Sequence, residues 1–493
     1  MPMNRPLRTL TPIVVLFALT ASALADLTPR IERLLTEGRL GSADVGVVIY
    51  DPQTDRVIGS LNADEQFVPA SNMKLITSGA AITLLGADFA FETRLLWEPG
   101  ARRLIVEGSG DPAFGDPDLL ERMEIDADDL LGVWAEAVKS QGITNVRELV
   151  IDDRAFDREF VHPSWPRAQL NRWYCAEVAG LNFHTNVVHL YMRADADGQP
   201  PSVRPIPEVP GVRVTNRAGS IRRGNPTVWA ARPNVDNHIT LRGDVRGTPE
   251  ALPVTLHDMP ARFGDLLAGH LREQGISVGS SRTATTNEAF DSSSVLHVVR
   301  TPLQTVLERT NVDSHNLYAE CLLKALGRAV TGQPGSWSNG AAVVRMELVD
   351  ALGPMAGRDA QVADGSGMSR ENRLTPSLVA RWLDHMHDRE ELGEAFRASL
   401  ASPGRGTLSK RFKKHPIDAH IEAKTGYLNG VSAISGYLSE PHTGKTVIFS
   451  IMVNEKPDSV PLRRVFEFQE RVIQAADEWL TERAVAATPK FGG

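Results

Sequence analysis

A serine and a lysine near the start of the chain have the spacing of a nucleophile and its base. Ser71 and Lys74 lie three residues apart, and an apolar helical pattern follows them. On a helix this spacing puts both side chains on one face, where the amine can reach the hydroxyl. A serine hydroxyl attacks well when an adjacent base takes its proton, and burial or a nearby cation lowers a lysine pKa enough for that task. The pair therefore predicts acyl transfer, although an N-capping serine beside a solvated lysine fits the same pattern.

Two later motifs supply other polar groups that acyl transfer needs. Ser314 and Asn316 lie at a break between two predicted helices. There Ser314 can relay a proton to a leaving amine, and Asn316 can hydrogen-bond the substrate amide or Lys74. Lys424 ends a predicted strand. A cation at this position attracts a terminal carboxylate and disfavours protonation of Lys74.

The residues that follow Lys424 predict how a substrate is held. The Thr425 hydroxyl can hydrogen-bond a carboxylate, and Gly426 leaves room for a ligand backbone at the strand edge. The backbone N–H groups of Tyr427 and Ser71 are predicted to form an oxyanion hole, which the helix dipole at Ser71 reinforces. The predicted catalytic residues are thus Ser71, Lys74, Ser314, Asn316 and Lys424, and the predicted substrate-binding residues are Thr425, Gly426 and Tyr427.

The motifs S-x-x-K, S-x-N and K-T-G, in this order, resemble those of the penicillin-binding proteins and class A β-lactamases. About 240 residues separate Ser71 from Ser314. An insertion of this size is similar to that of the class C low-molecular-mass penicillin-binding proteins, the D-alanyl-D-alanine carboxypeptidase/endopeptidase family (peptidase family S13). The resemblance extends to the stretches 108–112 (GSGDP), 364–370 (DGSGMSR) and 404–408 (GRGTL). It is weakest over residues 194–260.

This resemblance implies a substrate and a class of inhibitor. The substrates would be peptidoglycan stem peptides that end in D-Ala-D-Ala, together with the D-alanyl cross-links between them. Ser71 would attack the penultimate D-Ala carbonyl, and Lys424 and Thr425 would bind the C-terminal carboxylate. β-Lactams would acylate Ser71. An acidic residue of the insertion, such as Asp157, is a candidate for holding the substrate's ammonium group, although a solvated surface Asp is the commoner role.

Two alternative functions stay open from the sequence. The first is a β-lactamase or esterase on the same scaffold. Class A β-lactamases use a Glu-x-x-Leu-Asn loop to activate the deacylating water, whereas residues 177–182 (EVAGLN) contain one residue more. The second alternative is a non-catalytic protein that binds or senses the cell wall, which the presence of all the reactive groups disfavours.

The elements around the motifs are in the order of an α+β fold. Residues 45–50 and 56–61 predict a hairpin before the helix that starts at Ser71, and residues 314–326 predict a helix ended by Gly327. Apolar strands at 431–438 and 446–454 and a helix at 460–485 close the chain. We expect a penicillin-binding-protein/serine β-lactamase-like transpeptidase domain, an antiparallel sheet flanked by helices, with a large inserted mixed and β-rich region.

The 493 residues exceed what one hydrophobic core usually supports, so several domains are expected. The predicted boundaries follow changes in composition and turn content. They are a signal peptide at 1–25, a catalytic domain at 26–90 and 297–487, an inserted domain at 91–193 and 261–296, a nested β-rich domain at 194–260, and a disordered tail at 488–493.

The first residues have the pattern of a secretory signal. Arg5 and Arg8 precede an apolar run at 13–19, and small residues at 23–25 form a cleavage site. We therefore expect a periplasmic protein. No later stretch approaches the ~20 apolar residues that span a bilayer, so no integral membrane anchor is expected.

Composition excludes several other classes of partner. The net charge is −8 with scattered basic residues, which argues against nucleic acid. Neither H-E-x-x-H nor C-x-x-C occurs, so we expect no metal and no cofactor.

Cys175 and Cys321 are predicted to be separate buried thiols rather than a disulfide. The sequence leaves the oligomeric state open.

Overall fold

The computed structural model describes residues 26–233, 235–291 and 293–487, without the side chains of 484–487. The predicted signal peptide (1–25) and the predicted disordered tail (488–493) lie outside the described residues. Within the described ranges, no helix has both the length and the apolar character needed to cross a membrane.

Helices and strands follow one another in an α+β order. The helices are α1 (Thr28–Gly38), α2 (Met73–Leu85), α3 (Pro117–Arg122), α4 (Ala127–Ser140), α5 (Met259–Glu273), α6 (Leu303–Asn311), α7 (Asn316–Thr331), α8 (Trp337–Leu352), α9 (Ala356–Asp359), α10 (Pro376–His387), α11 (Glu390–Ala398) and α12 (Leu462–Ala487). The strands are β1 (Asp44–Asp51), β2 (Arg56–Leu61), β3 (Ala90–Glu98), β4 (Arg103–Gly108), β5 (Asn145–Asp152), β6 (Val187–Arg193), β7 (Ser202–Ile206), β8 (Arg213–Asn216), β9 (Gly219–Ser220), β10 (Trp229–Ala231), β11 (His238–Arg242), β12 (Asp244–Val245), β13 (Leu252–Thr255), β14 (Ser277–Thr283), β15 (Ser294–Pro302), β16 (Ala360–Gln361), β17 (Arg373–Leu374), β18 (His420–Leu428), β19 (Val431–Ser439) and β20 (Thr446–Asn454).

The two ends of the chain build one antiparallel sheet. Its strand order is β18-β19-β20-β1-β2, and β1 and β2 form the predicted hairpin. Side chains of β1 and β20 alternate between two cores, because successive residues of a strand face opposite sides. Val47 and Ile49 pack with α1 and α12, whereas Val48 and Met452 pack with the helical layer around α2 and α10. The sheet therefore has helices on both faces.

Helix α2 is the centre of the helical layer. Residues 73–82 are all buried, and the helix packs against α6, α7, α8, α10 and α11. A short 3-10 turn, Ala70–Asn72, precedes it. Ser71 therefore lies in this 3-10 turn. Its spacing from Lys74 had suggested a position in the first turn of the α-helix instead.

The prediction that Gly327 ends a helix is wrong. Helix α7 continues to Thr331, and Gly332 follows it with a φ of +68°, a left-handed conformation that suits glycine at a helix end. Gly327 lies where α8 crosses α7, since a Cβ atom there would lie 2.0 Å from Asn339 Oδ1 and 2.8 Å from the backbone nitrogen of Gly340. The glycine permits close packing of two helices.

The region between α2 and α6 contains a second, mixed sheet. Its order is β14-β5-β4-β3-β15, with β14, β5 and β4 parallel and β3 antiparallel to β4 and β15. Helices α4 and α5 contribute Trp134 and Phe263 to its core. Strands β7–β13 lie in the predicted β-rich segment and form small sheets, one of which also contains β6 from just before that segment. Strand β15 runs to Pro302, past the predicted boundary at residue 296, and the domain boundaries stay a prediction.

The cysteines are placed as predicted. Cys175 and Cys321 are both buried free thiols. Burial raises the pKa of each thiol, to about 12 for Cys175. Neither is therefore a reactive thiolate at neutral pH.

Candidate active site

The lysine at the centre of the site is surrounded by three hydrogen-bonding partners. Lys74 is fully buried, and its Nζ lies 3.0 Å from Ser71 Oγ. The amine also donates to Asn316 Oδ1 at 2.7 Å and to the carbonyl oxygen of Ser366 at 2.8 Å. A neutral amine has two N–H groups and one lone pair. The two carbonyl oxygens can take the N–H groups, which leaves the lone pair for the hydroxyl proton of Ser71.

Burial favours the neutral form of this amine. It lowers the pKa of Lys74 to about 7, while the nearby carboxylates of Glu320 and Asp364 act in the opposite direction. Burial also lowers the pKa of Lys424 well below its usual value, and the charge of Lys74 adds to that effect. Burial thus disfavours protonation of both lysines, and a lysine base requires the neutral amine.

The Ser314 side chain bridges the second motif to the third. Its backbone has a φ of +60°, a left-handed conformation that is uncommon for serine, and α7 begins two residues later. Lys424 Nζ donates to Ser314 Oγ at 2.8 Å and to the Thr425 carbonyl at 2.8 Å. Arg309 ties the loop down by donating to Asp313 Oδ2 at 2.7 Å. Ser314 is therefore held against Lys424.

Asn316 joins the inserted region to the site. Its Oδ1 accepts from Lys74, and its Nδ2 donates to the Tyr174 carbonyl oxygen at 2.8 Å. These two contacts define which end of the amide faces the lysine. The insertion therefore helps to orient a side chain of the central site.

Strand β18 lies against the nucleophile turn. A Cβ atom on Gly426 would lie 3.0 Å from the backbone nitrogen of Ser71 and 2.9 Å from the Pro69 carbonyl oxygen, so glycine allows this approach. The backbone of Tyr427 follows directly, and its side chain is exposed. Because β18 is the first strand of its sheet, its outer edge can accept an extended peptide.

Four of the predicted site residues line a cleft of about 420 Å³. Ser71, Ser314, Asn316 and Tyr427 line it, together with Gln169, Trp173, Tyr174, Asp313, Gly367, Met368, Leu428 and Asn429. Lys74 and Lys424 are buried behind Ser71 and Ser314, and Thr425 and Gly426 precede Tyr427 on β18. The structure thus brings all the predicted site residues together, while their individual roles stay predictions.

The sequence reasoning missed a pair of buried carboxylates. Glu320 and Asp364 both lie beneath Lys74 and bind backbone N–H groups of residues 365–369. The sequence indicates segment 364–370 only as part of the family resemblance. In the structure its Ser366 carbonyl oxygen accepts a hydrogen bond from Lys74. A signal was present on α7, where polar residues recur every four positions, at Asn316, Glu320 and Lys324, within an otherwise apolar helix.

Asp157, the candidate for holding a substrate ammonium group, pairs with a lysine of the chain, and its proposed role stays a prediction. Its Oδ1 accepts from Lys324 Nζ at 2.7 Å, and Lys324 is fully buried. That lysine also stacks over the ring of Trp337 at 3.8 Å. Asp157 is used to compensate a buried charge, a pairing that the sequence did not reveal.

Glu177, the acidic residue of the β-lactamase-like stretch, lies in the inserted region. Its carboxylate is buried, 2.8 Å from His257 Nδ1, and it accepts from the backbone N–H of Asp258 at 2.9 Å. A carboxylate engaged in this way is unavailable to activate a water at Ser71. Glu177, whose spacing departs from the β-lactamase pattern, is thus paired with His257 inside the inserted region.

These groups define a class of protein. A serine against a buried lysine, a second serine hydrogen-bonded to another buried lysine, and a strand edge beside the nucleophile are the parts of a serine acyl-transfer enzyme that forms a covalent intermediate. Residues 27–469 match the model of the D-Ala-D-Ala carboxypeptidase 3 (S13) family, and the chain belongs to this family. The predicted family is therefore confirmed.

Individual relatives agree with this assignment. The D-alanyl-D-alanine carboxypeptidase of Actinomadura sp. (strain R39) is 31% identical over 481 residues, which cover 90% of this chain and 84% of that protein. The crystal structure of penicillin-binding protein 4 from Haemophilus influenzae matches with a TM-score of 0.75 at 21% identity, over 90% of this chain and 99% of that chain. A second structure of that protein, in complex with a β-lactam, matches with a TM-score of 0.70 at 19% identity, over 91% and 99% of the two chains. The predicted fold class is confirmed.

Proposed function

We propose that this chain is a serine D-alanyl-D-alanine carboxypeptidase and endopeptidase of peptidoglycan, with Ser71 as its nucleophile. The observation that carries the proposal is the set of contacts around Lys74. Asn316 and Ser366 accept its N–H groups, and Ser71 Oγ is its third partner at 3.0 Å. With a pKa near 7, this amine is available as a base at neutral pH.

Acylation begins with attack of Ser71 Oγ on the carbonyl carbon of the penultimate D-Ala. The hydroxyl proton passes to the lone pair of Lys74 Nζ as the new C–O bond forms. Negative charge develops on the former carbonyl oxygen, which the backbone N–H groups of Ser71 and Tyr427 stabilise. The close approach of Gly426 to Ser71 supports this pairing of donors from two distant segments.

The leaving amine must gain a proton as its C–N bond breaks. We assign the relay to Ser314, whose hydroxyl is hydrogen-bonded to Lys424 and which lines the same cleft as Ser71. The terminal carboxylate binds Lys424 and the Thr425 hydroxyl, and its charge favours the protonated form of Lys424. Water then attacks the acyl-enzyme, with Lys74 again taking a proton, and the shortened peptide leaves.

Carboxypeptidase and endopeptidase action use the same contacts. In both reactions the leaving group carries a carboxylate next to its amine, on D-Ala in one case and on the cross-linked diamino acid in the other. Lys424 and Thr425 can therefore bind either leaving group. A β-lactam would also acylate Ser71, and because Glu177 is engaged with His257, slow release and inhibition are expected rather than resistance.

We also propose that the mature protein acts in the periplasm. The support is the signal-like pattern of residues 1–25, together with a substrate found outside the cytoplasm. N-terminal sequencing of the exported protein should find a mature end near Asp26. An uncleaved N-terminus would contradict this.

The test of function uses purified cross-linked muropeptides, with free D-Ala and muropeptide monomers followed together. Wild-type protein should release both, and Ser71→Ala should release neither. Intact-mass measurement after penicillin treatment should find one adduct that is absent from Ser71→Ala. Rapid hydrolysis of nitrocefin without D-Ala release would favour the β-lactamase alternative, and no adduct at all would favour a binding protein.

A further inference from the structure

Helix α7 presents a row of polar side chains at four-residue spacing. Asn316 contacts the catalytic lysine, and Lys324, two turns further on, pairs with Asp157. Glu320 lies between them and is fully buried. The proposed mechanism gives it no task, and a buried carboxylate is costly unless it is well hydrogen-bonded.

Glu320 binds the backbone of the segment that touches Lys74. Its Oε1 accepts from the Ser366 N–H at 2.8 Å, and its Oε2 accepts from the Gly365 N–H at 3.0 Å. Trp337 Nε1 donates to Oε2 as well, at 2.8 Å. The carboxylate therefore fixes two consecutive peptide units and is itself held from the opposite side.

The next peptide unit carries the contact to the lysine. The Ser366 carbonyl oxygen accepts from Lys74 Nζ at 2.8 Å, and the N–H of the same unit, on Gly367, donates to Asp364 Oδ1 at 2.8 Å. Gly367 has a φ of +82°, and a Cβ atom there would lie 1.8 Å from the Ala70 carbonyl oxygen. Residues 365–367 are thus packed between the carboxylates of Glu320 and Asp364 on one side and the turn that carries Ser71 on the other.

We propose that Glu320 is a positioning residue, which holds the Ser366 carbonyl against Lys74 and whose charge sets the pH range in which Lys74 acts as a base. This inference rests on the proposed function, because it assumes that Lys74 takes the proton of Ser71. Glu320 itself touches neither Ser71 nor the cleft.

The charged groups around Lys74 and Glu320 determine the direction in which loss of the Glu320 charge shifts the pH profile. Lys74 faces Glu320 on α7, Asp364 on the loop, Lys424 on β18 and His315 at the start of α7. Glu320 faces Asp364 and Lys74 and is followed on its own helix by Lys324. Burial and Asp364 raise the pKa of Glu320 to about 7, whereas the N–H groups of Ser366, Gly365 and Trp337 favour its carboxylate form. Its negative charge favours protonated Lys74, so loss of that charge should let Lys74 deprotonate at lower pH.

The experiment measures the second-order rate constant for acylation by a fluorescent penicillin as a function of pH. Glu320→Gln removes the charge and keeps the volume, whereas Glu320→Asp keeps the charge and shortens the reach to the 365–366 backbone. Glu347→Gln is the matched control, since Glu347 is another buried glutamate, on α8, whose charge neighbours are Arg389 and Asp350 rather than Lys74. Thermal unfolding of each variant reports whether it is folded.

Glu320→Gln should move the acidic limb of the profile to lower pH, by up to about one unit, since the pKa of Glu320 itself lies at about 7. Glu320→Asp should keep the wild-type limb but acylate about tenfold more slowly, because the Ser366 carbonyl loses its alignment. Glu347→Gln should match wild type in both respects. A purely structural role for Glu320 would lower the rates without moving the limb.

If folded Glu320→Gln has the same acidic limb as wild type, the inference about Glu320 is overturned. The proposed function still stands in that case, because wild-type protein is acylated. If Glu320→Gln does not fold, Glu320→Asp decides, and a wild-type rate in that variant overturns the positioning role. Wild-type protein that is never acylated on Ser71 would instead defeat the proposed function, and the role of Glu320 with it.

Discussion

The close approach of β18 to the nucleophile turn predicts a large effect from adding one methyl group. In Gly426→Ala the new Cβ atom would lie 2.9 Å from the Pro69 carbonyl oxygen, 3.0 Å from the Ser71 nitrogen and 3.2 Å from the Ala70 Cβ. These distances are shorter than ordinary van der Waals contact, so β18 and the turn must separate by a few tenths of an ångström. Overpacking of this kind typically costs about 1–3 kcal/mol.

The effect on catalysis should be about as large in free energy as the effect on stability, since a 10–100-fold rate loss corresponds to about 1.4–2.7 kcal/mol. The separation moves the Tyr427 and Ser71 backbone N–H groups apart, and these are the proposed oxyanion donors. Loss of one such donor lowers rates by roughly 100–1,000-fold, so partial misalignment should lower acylation by about 10–100-fold. The melting temperature should fall by about 2–12 °C, since the cost of about 1–3 kcal/mol shifts it by about 2–4 °C per kcal/mol for a domain of this size.

The assay pairs acylation by a fluorescent penicillin with thermal unfolding, and Gly132→Ala is the control. Gly132 lies within α4, and nothing is within 4 Å of its missing Cβ atom. The control should be active and more stable by about 0.5–1 kcal/mol, because alanine replaces glycine inside a helix. A Gly426→Ala protein with wild-type acylation and wild-type stability would refute the proposed contact between strand and turn.

Three further predictions concern the lysines. Lys74 must be neutral to accept a proton, and burial lowers its pKa to about 7. The acylation rate should therefore rise as the pH rises through about 7. A flat profile between about pH 5 and 9 would contradict the role of Lys74 as the base. Asp157→Ala should cost about 3 kcal/mol in chemical denaturation, since it leaves the fully buried Lys324 uncompensated, and adding Lys324→Met should recover part of the loss. Lys424→Met should raise KM for a stem peptide with a free C-terminal carboxylate more than for its amide, and an equal change for both would argue against carboxylate binding.

Local patterns carried much of the prediction. The spacing of Ser71 and Lys74 and the hairpin of β1 and β2 depend on residues close in the chain, so their geometry follows from helix and strand periodicity. The order of the three motifs indicated the family. Gly327 shows the limit of this reasoning, because a glycine at a helix end and one at a helix crossing look alike in sequence.

Pairings between distant residues were the source of the errors and omissions. Asp157 is charged and polar, and its pairing with the buried Lys324 follows from a contact across 167 positions of the chain. Glu320 likewise contacts the backbone 45 and 46 positions away. Such partners have no local signature, since any acidic residue on the same face would give the same pattern.

The sequence by itself determined which reactive groups exist, the order in which they occur and the family to which they belong. Only the tertiary structure decided that Lys74 is buried with a pKa lowered to about 7, as its proposed role as a base requires. Its low pKa comes from complete burial, which requires α7, the 364–369 segment and β18 to close around α2. Desolvation depends on how all these segments pack together, and no short stretch of sequence encodes it.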